Sequence, residues 1–455
     1  MSPVARGSRN DPCKPIGTGE GERLKKFRTK IQRSKPFYSH NLYFPLMKAL
    51  ILAAGEGTRM MPLTATLPKP LLPIAGKPCI RHTIDALVAA GIKDITFVVG
   101  WQRKEIQPYL ESIKGIRSTF IEQKERLGTA HAINTAKAIM TEPFLCLNGD
   151  VIATATTLKA MVSAHKKRER PIIAVAEVSE PERYGVVKFS EVSGIVQEIL
   201  EKPQRSPSRC INTGLYLFTP KIFEAIENTG QSPRGEFEVT DSIIKLSPED
   251  RPYALQLKEP YIDISVPWDL LAANEFLMKG MRSRTGKGQV EKGVVIHGAL
   301  QVGKGSIVKT GTYIEGNVII GEGSKIGPRT YIRGSTCIGD RCHIGASVEI
   351  KNCIIMDETN VPHHNYVGDS IIGRRCNLGA GTKVANLRLD GRTITSYVKR
   401  KPVNTGLRKL GVIMGDDVKT GINASINVGT VIGEGSLIGL GAVATGWIEP
   451  RSQIF

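Results

Sequence analysis

The stretch IHGALQVGKGSIVKTGTYIEGNVIIGEGSKIGPRTYIRGSTCIGDRCHIGASVEIKNCIIM, residues 296–356, decides the architecture of the second half of the chain. Stepping by six from Ile296 meets Val302, Val308, Ile314, Ile320, Ile326, Ile332, Ile338, Ile344, Ile350 and Met356, an unbroken run of aliphatic positions. With 41% of residues apolar, chance produces such a run in a given frame about once in eighteen thousand trials. Glycine often follows the aliphatic position, at 303, 321, 327, 339 and 345, and the register resumes at Ile372, Leu378 and Val384 and again at Ile426, Ile432 and Ile438. A period of six is neither helical nor a plain alternation. It suits a short strand and a tight corner, with the aliphatic residue inward and glycine relieving crowding at the bend. Three hexads close one triangular coil, so that residues about 18 apart stack with ~4.7 Å between coils in a parallel β-helix. The pattern breaks at 357–371 and at 385–411, and departures from a packing repeat are where ligands are expected.

Outward from this repeat, residues 47–280 read as an α/β domain. Apolar runs ALILAA, ITFVVG, FLCLNG, IIAVAEV and GLYLF alternate with helical patterns such as 78–90, which predicts a Rossmann-like, mostly parallel sheet. Its last helix starts after Pro267 and stops near Gly280, and the basic, glycine-containing segment 281–293 is expected to be a linker to a β-helix at 294–455. The 455 residues carry a net charge of +19, but residues 1–46 alone hold 10 Lys+Arg against 3 Asp+Glu. That leader, rich in Gly, Pro and Ser, reads as disordered and dispensable, with the natural start at Met47. Charge of this kind, with only 6% aromatic residues that do not alternate with it, argues against a nucleic-acid binder. No apolar run reaches the roughly 18 residues of a membrane span. The eight cysteines form no CxxC pair and no export signal precedes them, so reduced thiols in a cytoplasmic protein are expected.

The first strand delivers the chain into AAGEGTRMMPLTATLPKPLLPIAGKP, residues 53–78. Gly55 and Gly57 let backbone N–H groups approach phosphate oxygens, and Arg59 and Lys69 add positive charge. Met60 interrupts a GxGxxG pattern and no GK[ST] is present, so spacing alone leaves an ordinary tight turn as an equal reading. The longer string resembles the signature of the sugar-1-phosphate nucleotidyltransferase family, GxGTRM followed by PK. The similarity continues in order through EQKERLGTAHA (122–132), NGD (148–150), YGVV (184–187), LEKP (200–203), NTGLY (212–216), EFEVTD (236–241) and YIDISVPWDL (261–270). The resemblance implies that Arg59 meets the leaving phosphates and Lys69 the reacting phosphates. Leu52, Ala54, Gly55, Gly57, Gln123, Gly128 and Thr129 would surround the nucleotide. Asp150 and Asp263 would be hard oxygen ligands for Mg²⁺, and Gly185, Glu201, Lys202 and Asn212 would hold the sugar phosphate. Bringing two anions together and expelling pyrophosphate is mainly a matter of alignment and charge neutralisation, which explains the residue types.

In the β-helix, EIK at 349–351, HHNYVGD at 363–369, NLGAGT at 377–382 and AN at 385–386 resemble the acetyltransferase half of the bifunctional N-acetylglucosamine-1-phosphate uridyltransferase/glucosamine-1-phosphate acetyltransferase family. Such hexapeptide β-helices are left-handed. The resemblance implies His363 as the base that takes a proton from the sugar amine attacking acetyl-CoA. Arg333 and Lys351 would bind sugar phosphate, Tyr366, Asn377 and Asn386 would orient substrate and base, and the Ala380 N–H would stabilise the oxyanion. A homotrimer whose adjacent chains complete each acetyl site is implied as well. The insert 385–411 carries seven Lys+Arg and one Asp, which suits a polyphosphate such as coenzyme A or merely a solvated loop. Its LRLDG departs from the family's usual YDG, and His364 beside His363 leaves the choice of base open. Two alternatives stand beside this reading. One is a three-histidine zinc centre from His343, His363 and His364. The other is a thymidylyl-, guanylyl- or adenylyltransferase acting on another hexose phosphate, with a structural or regulatory β-helix.

Overall fold

A computed structural model describes residues 47–455. The leader 1–46 and Cys13 lie outside the described residues, and so does the question of a start at Met47.

The N-terminal half is built on a nine-stranded sheet whose main path runs Tyr253–Gln256, Ile172–Glu177, Cys210–Phe218, Phe144–Asn148, Lys48–Ala53, Asp94–Val99, Arg117–Glu122. Lys48–Ala53 pairs in parallel with both neighbours, while Cys210–Phe218 runs antiparallel to both of its own. Strand alternation puts Ala49, Ile51 and Ala53 against helices Cys79–Ala89 and Ala155–Arg168, and Leu50 against the opposite helical layer. Burial on both faces is why these strands are continuously apolar. All the loops at the carboxyl ends of Lys48–Ala53, Asp94–Val99 and Phe144–Asn148 therefore open on one edge of the sheet, where open α/β sheets bind ligands.

The C-terminal half is the expected parallel solenoid. Ile307 pairs with Lys325 and Lys325 with His343, steps of 18 residues, and the sheets stack as columns of two- to eight-residue strands. Val302 through Ile350 of the hexad series all lie in one buried core, consistent with a left-handed β-helix. The ends of the series do not. Ile296 sits on the first complete coil with no coil beneath it and is 39% exposed. Met356 points outward into the interface with the N-terminal domain, its interior place being taken by Ile355. The expected break at 357–371 is not a break in the ladder. Asn360–His363, Tyr366–Gly368 and Ile371–Ile372 all pair, but His343↔Asn360, Glu349↔Tyr366 and Asn360↔Asn377 are steps of 17. One residue lost from a corner moves the hexad frame without breaking a hydrogen bond.

Two further expectations are corrected. The ladder begins inside the segment read as linker, since Arg284 bridges Gln301 and Gln289–Val290 pairs with Ile307–Val308; the turns at 286–287 and 292–293 are coil corners. The basic insert 385–411 is a folded β-hairpin, Thr395–Val398 against Lys401–Asn404, with Ile394, Ser396 and Leu410 fully buried on the solenoid.

The two halves share a core. Met60, Leu63, Leu72 and Ile74 from the loop after the first strand pack with Ile354, Met356, Ile371 and Ile413 from the outer face of the coils. Helix Asp269–Met278 lies between them. Its fully buried Asn274 accepts the Ala75 N–H (2.8 Å) and donates to the Ser335 carbonyl (2.8 Å).

Candidate functional site

A cavity of about 580 Å³ opens at the carboxyl edge of the sheet, lined by Leu52, Ala54, Gly55, Gly57, Arg59, Lys69, Gln123, Gly128, Thr129 and Asp150. A second, of about 250 Å³, is lined by Gly185, Glu201, Lys202, Asn212 and Asp263, and shares Arg59, Thr129 and Asp150 with the first. Every residue singled out in the N-terminal half thus borders one continuous cleft.

The first strand ends at Ala53, and Gly57, at φ +66°, turns the chain into the short 3₁₀ turn Thr58–Met60 that carries Arg59. Thr64 Oγ1 donates to the Gly57 carbonyl at 2.8 Å and closes the loop. Lys69 Nζ meets Asp150 Oδ2 at 2.5 Å, both side chains being largely buried. Burial pushes the Asp150 carboxyl up, but the Lys69 ammonium outweighs it and holds the group below its usual range. Asp263 is shifted the other way, first by burial and then by the negative Asp150, with a 2.5 Å hydrogen bond from Ser265 Oγ only partly opposing. Two carboxylates repelling each other at the edge of a phosphate-sized cleft form a donor set of hard oxygens that a divalent cation would relieve.

Gly128, at φ +114°, lets the loop 124–128 approach residue 237 so closely that a Cβ would stand 2.5 Å from the Phe237 carbonyl oxygen. In the smaller cavity Gly185 pairs with Glu201, and Asn212 donates to the Tyr216 hydroxyl at 2.7 Å. Burial, followed by the nearby Arg59, lowers the Lys202 ammonium. Sequence reasoning missed Arg234, which joins Glu201 (3.2 Å) to Glu238 (2.7 Å) in this cavity. It also missed Arg126, which lines the larger cavity and lies over the Trp101 ring at 5.3 Å. Both sit in or beside quoted motifs, but long-range pairing is what gives them a place.

On the solenoid, Arg333, Lys351 and Gly368 fall in one register column. Arg333 is committed to Glu349 by two bonds of 3.0 and 2.8 Å. Lys351 is committed to Asp369 at 2.9 and 2.7 Å, and Asp369 also accepts from Asn386 (2.5 Å) and Asn352 (3.0 Å). Asp369 is therefore the hub of this cluster, although only its place in the string HHNYVGD pointed to it. A Cβ on Gly368 would strike Asn386 Nδ2 at 2.6 Å and the Tyr366 hydroxyl at 2.7 Å, so glycine there is what lets these two side chains meet. His363 is exposed at the end of Asn360–His363, beside Ala346, and the 17-residue step brings Ala380 alongside it, where the Gly381 N–H donates to the His363 carbonyl at 3.0 Å. His364, at φ +52°, forms the corner. Asn377 pairs with Asn360, at the opposite end of the strand from His363. Burial, followed by the neighbouring His363, lowers the His343 imidazole.

Among the described residues no group of three or more His, Cys, Asp or Glu side chains is gathered to hold a metal, and the zinc alternative gains no geometry. Within the insert, Arg388 and Arg392 pair with Asp390, and Arg400 with Glu449. Cys79, Cys146, Cys337, Cys342, Cys353 and Cys376 are buried free thiols. Among the described residues no helix is long and apolar enough to cross a membrane.

Residues 48–280 match the family model described as nucleotidyl transferase, and residues 314–437 match one described as the GMPPB C-terminal domain. The "Bifunctional protein GlmU" of Methanococcus maripaludis strain C7 is 42% identical over 411 residues, 90% of this chain and 97% of that protein. The "Bifunctional sugar-1-phosphate nucleotidylyltransferase/acetyltransferase" of Sulfurisphaera tokodaii is 38% identical, over 87% of this chain and 97% of that one. Among solved structures, a UDP-glucose pyrophosphorylase complexed with UDP-glucose is 29% identical and covers 52% of this chain and 100% of its own, with a TM-score of 0.48.

Proposed function

The chain belongs to the nucleotidyl transferase family, and we propose that it is a bifunctional enzyme that makes UDP-N-acetylglucosamine by two successive group transfers. In the first, the amine of glucosamine-1-phosphate attacks the acetyl-CoA thioester carbonyl at the β-helix. The C–N bond forms, the C–S bond breaks, and coenzyme A leaves. His363, exposed beside Ala380, takes the proton from the attacking nitrogen, and the Ala380 N–H faces the oxyanion. In the second, a phosphate oxygen of N-acetylglucosamine-1-phosphate attacks the α-phosphorus of UTP, a P–O bond forms, and the bond to pyrophosphate breaks.

The observation that carries the second step is the continuity of the two cavities around Arg59 and Asp150. The larger suits a nucleoside triphosphate and the smaller a hexose phosphate, so the two reacting phosphates meet where Arg59 and Lys69 supply positive charge. Asp150 and Asp263 would hold Mg²⁺, which supplies charge neutralisation between the α-phosphate and the leaving pyrophosphate. Lys69 restrains Asp150, Arg59 draws the triphosphate tail, and Glu201, Lys202 and Asn212 orient the sugar.

His363 is exposed on the coil, and the resemblance to the bifunctional acetyltransferase family supports a homotrimer whose neighbouring chain completes the acetyl site there; light-scattering mass tests this. Buried, unpaired thiols favour a cytoplasmic setting. The match of 314–437 to the GMPPB C-terminal domain favours a second reading, a hexose-1-phosphate nucleotidyltransferase with a structural β-helix. One experiment separates them: release of the CoA thiol with glucosamine-1-phosphate, wild type against His363→Ala. Wild-type silence, or undiminished turnover in the variant, refutes the acetyltransferase half, and a panel of NTPs with sugar-1-phosphates tests the other.

A further inference from the structure

Gln123 is only 5% exposed and lines the larger cavity, yet its amide is not free to choose its orientation. One side of that amide faces the Gly128 carbonyl at 3.3 Å and the other contact is His131 Nδ1 at 3.0 Å, both made by the same terminal atom. A carbonyl oxygen accepts and never donates, so the atom facing it is the NH₂ group; the reversed amide would set two oxygens against each other. An NH₂ nitrogen in turn accepts nothing, so His131 Nδ1 is the acceptor, and the imidazole is neutral with its proton on Nε2. Both amide hydrogens are thereby used within the protein. The atom left for the cavity is Oε1, a pure acceptor. The string EQKERLGTAHA places these groups together because the loop 124–128 brings the first turn of helix Thr129–Asn134 back onto the strand end.

We infer that His131 is a positioning residue for nucleobase selection: by locking the Gln123 amide through its Nε2–H tautomer it presents Oε1 to the base and selects an imide N–H. The inference rests on the reading that the larger cavity takes the nucleoside triphosphate. At a fixed glycosidic placement, uracil and thymine offer N3–H to such an acceptor, whereas cytosine N3 presents a lone pair against it; purines, joined through N9, carry N1 farther from the ribose, where guanine offers N1–H and adenine a lone pair. Sites that pair with a substrate N–H reject analogues lacking it far more strongly than apolar pockets sort by shape, because the buried partner is left unpaired.

The test is steady-state kinetics of nucleotidyl transfer to N-acetylglucosamine-1-phosphate with UTP, TTP, GTP, CTP and ATP, for wild type, His131→Phe and His131→Asn. In His131→Phe the amide is released. KM for UTP should rise about tenfold with a smaller change in kcat, and the UTP-to-CTP ratio of kcat/KM should fall by a similar factor. His131→Asn, whose Oδ1 can accept in place of Nδ1, should restore both. An unchanged ratio in His131→Phe, or an equal loss of kcat with all nucleotides in both variants, overturns the inference while leaving uridylyl transfer standing. A wild type that prefers TTP or GTP refutes the uridylyl reading and keeps the imide selection, and one that prefers CTP or ATP refutes both. Because His131→Phe is a packing change as well, the ¹⁵N spectrum of histidine-labelled wild type gives an independent readout. His131 should show a protonated Nε2 and a bare Nδ1, and the opposite tautomer overturns the lock without any variant.

Discussion

Asp369→Asn removes one charge from the hub of the solenoid cluster and almost no volume. The carboxylate is 4% exposed and holds the ammonium of Lys351, whose own side chain is 17% exposed, through two short bonds. It also accepts from the Asn386 and Asn352 amides. Asparagine can accept on one atom only, so its NH₂ must face one of these donors. Removing one partner from a buried ion pair costs about 3–5 kcal/mol, since the other charge is stranded. The residual exposure of Lys351 argues for the lower end, about 3 kcal/mol, to be read from chemical denaturation of the solenoid. Lys351→Met in the Asp369→Asn background should recover much of that loss, because no stranded charge is left, giving a coupling energy of about 2 kcal/mol in the double-mutant cycle. Acetyl transfer should fall through a raised KM for glucosamine-1-phosphate, because Lys351 and Asn386 both lose their anchor, while nucleotidyl transfer in the other cleft is unchanged. A single variant stable to within about 0.5 kcal/mol of wild type, or additive single losses in the cycle, would refute the reasoning.

Three further outcomes are expected. Gly128→Ala puts a Cβ 2.5 Å from the Phe237 carbonyl at a backbone φ of +114°, so the loop must shift, and KM for the nucleotide should rise at least about tenfold at a cost of about 1–3 kcal/mol in stability; wild-type kinetics would show the close approach to be idle. Asp416→Ala, in the solenoid, should lower nucleotidyl-transfer kcat/KM, because the carboxylate accepts from Thr66 Oγ1 at 2.7 Å and from Arg374 Nε at 2.8 Å; an effect on acetyl transfer alone would count against the link. Burial pushes the Asp269 carboxyl up to about 6 from its ordinary 3.8, its bonds from the Val266 and Ser265 N–H groups only partly opposing. The folded state therefore holds that proton more tightly than the unfolded chain, and the resulting stability is fully present below about pH 4 and lost as pH rises through 6. The loss is about 3 kcal/mol. The fall in melting temperature from pH 4 to pH 7 should be smaller in Asp269→Asn than in wild type, and equal falls would sink the assignment.

How much of this was legible in the chain follows from what each feature depends on. The hexads were readable because one interior position per side of the triangular coil must be aliphatic, and Val302 to Ile350 obey that without exception. The 17-residue steps were not, because losing one corner residue leaves the ladder intact while shifting the count, so that a regular coil at 357–371 looked like an interruption. Met356 was misplaced for a related reason: an outward residue that packs on another domain is as apolar as an inward one. The residues of the N-terminal cleft could be named because their string resembles a family signature, whereas spacing alone left the glycine loop an ordinary turn; the structure gathers them along one edge of the sheet. Asp369 and His131, though inside quoted strings, and Arg234 beside one, received no role from the sequence because their roles lie in holding other side chains, and which side chains they hold depends on pairings such as Lys351↔Gly368 that no local pattern reveals.

The outward face of the coils also changes what the signature loop is. A loop that must meet phosphates with glycines and a 3₁₀ turn has little packing of its own, and in this chain its apolar residues, fully buried Met60 among them, are covered partly by Ile354, Ile371 and Ile413 of the solenoid. Its polar groups are tied there too, since Arg374 Nη2 donates to the Thr66 carbonyl at 3.1 Å while Asp416 takes the Thr66 hydroxyl. Thr66 lies three residues before Lys69, the group that restrains Asp150. The solenoid is thus part of what holds the N-terminal cleft in shape. A rearrangement of the coils around Arg374 and Asp416 would reach Lys69 through three residues of backbone, with no need of a longer path through the sheet.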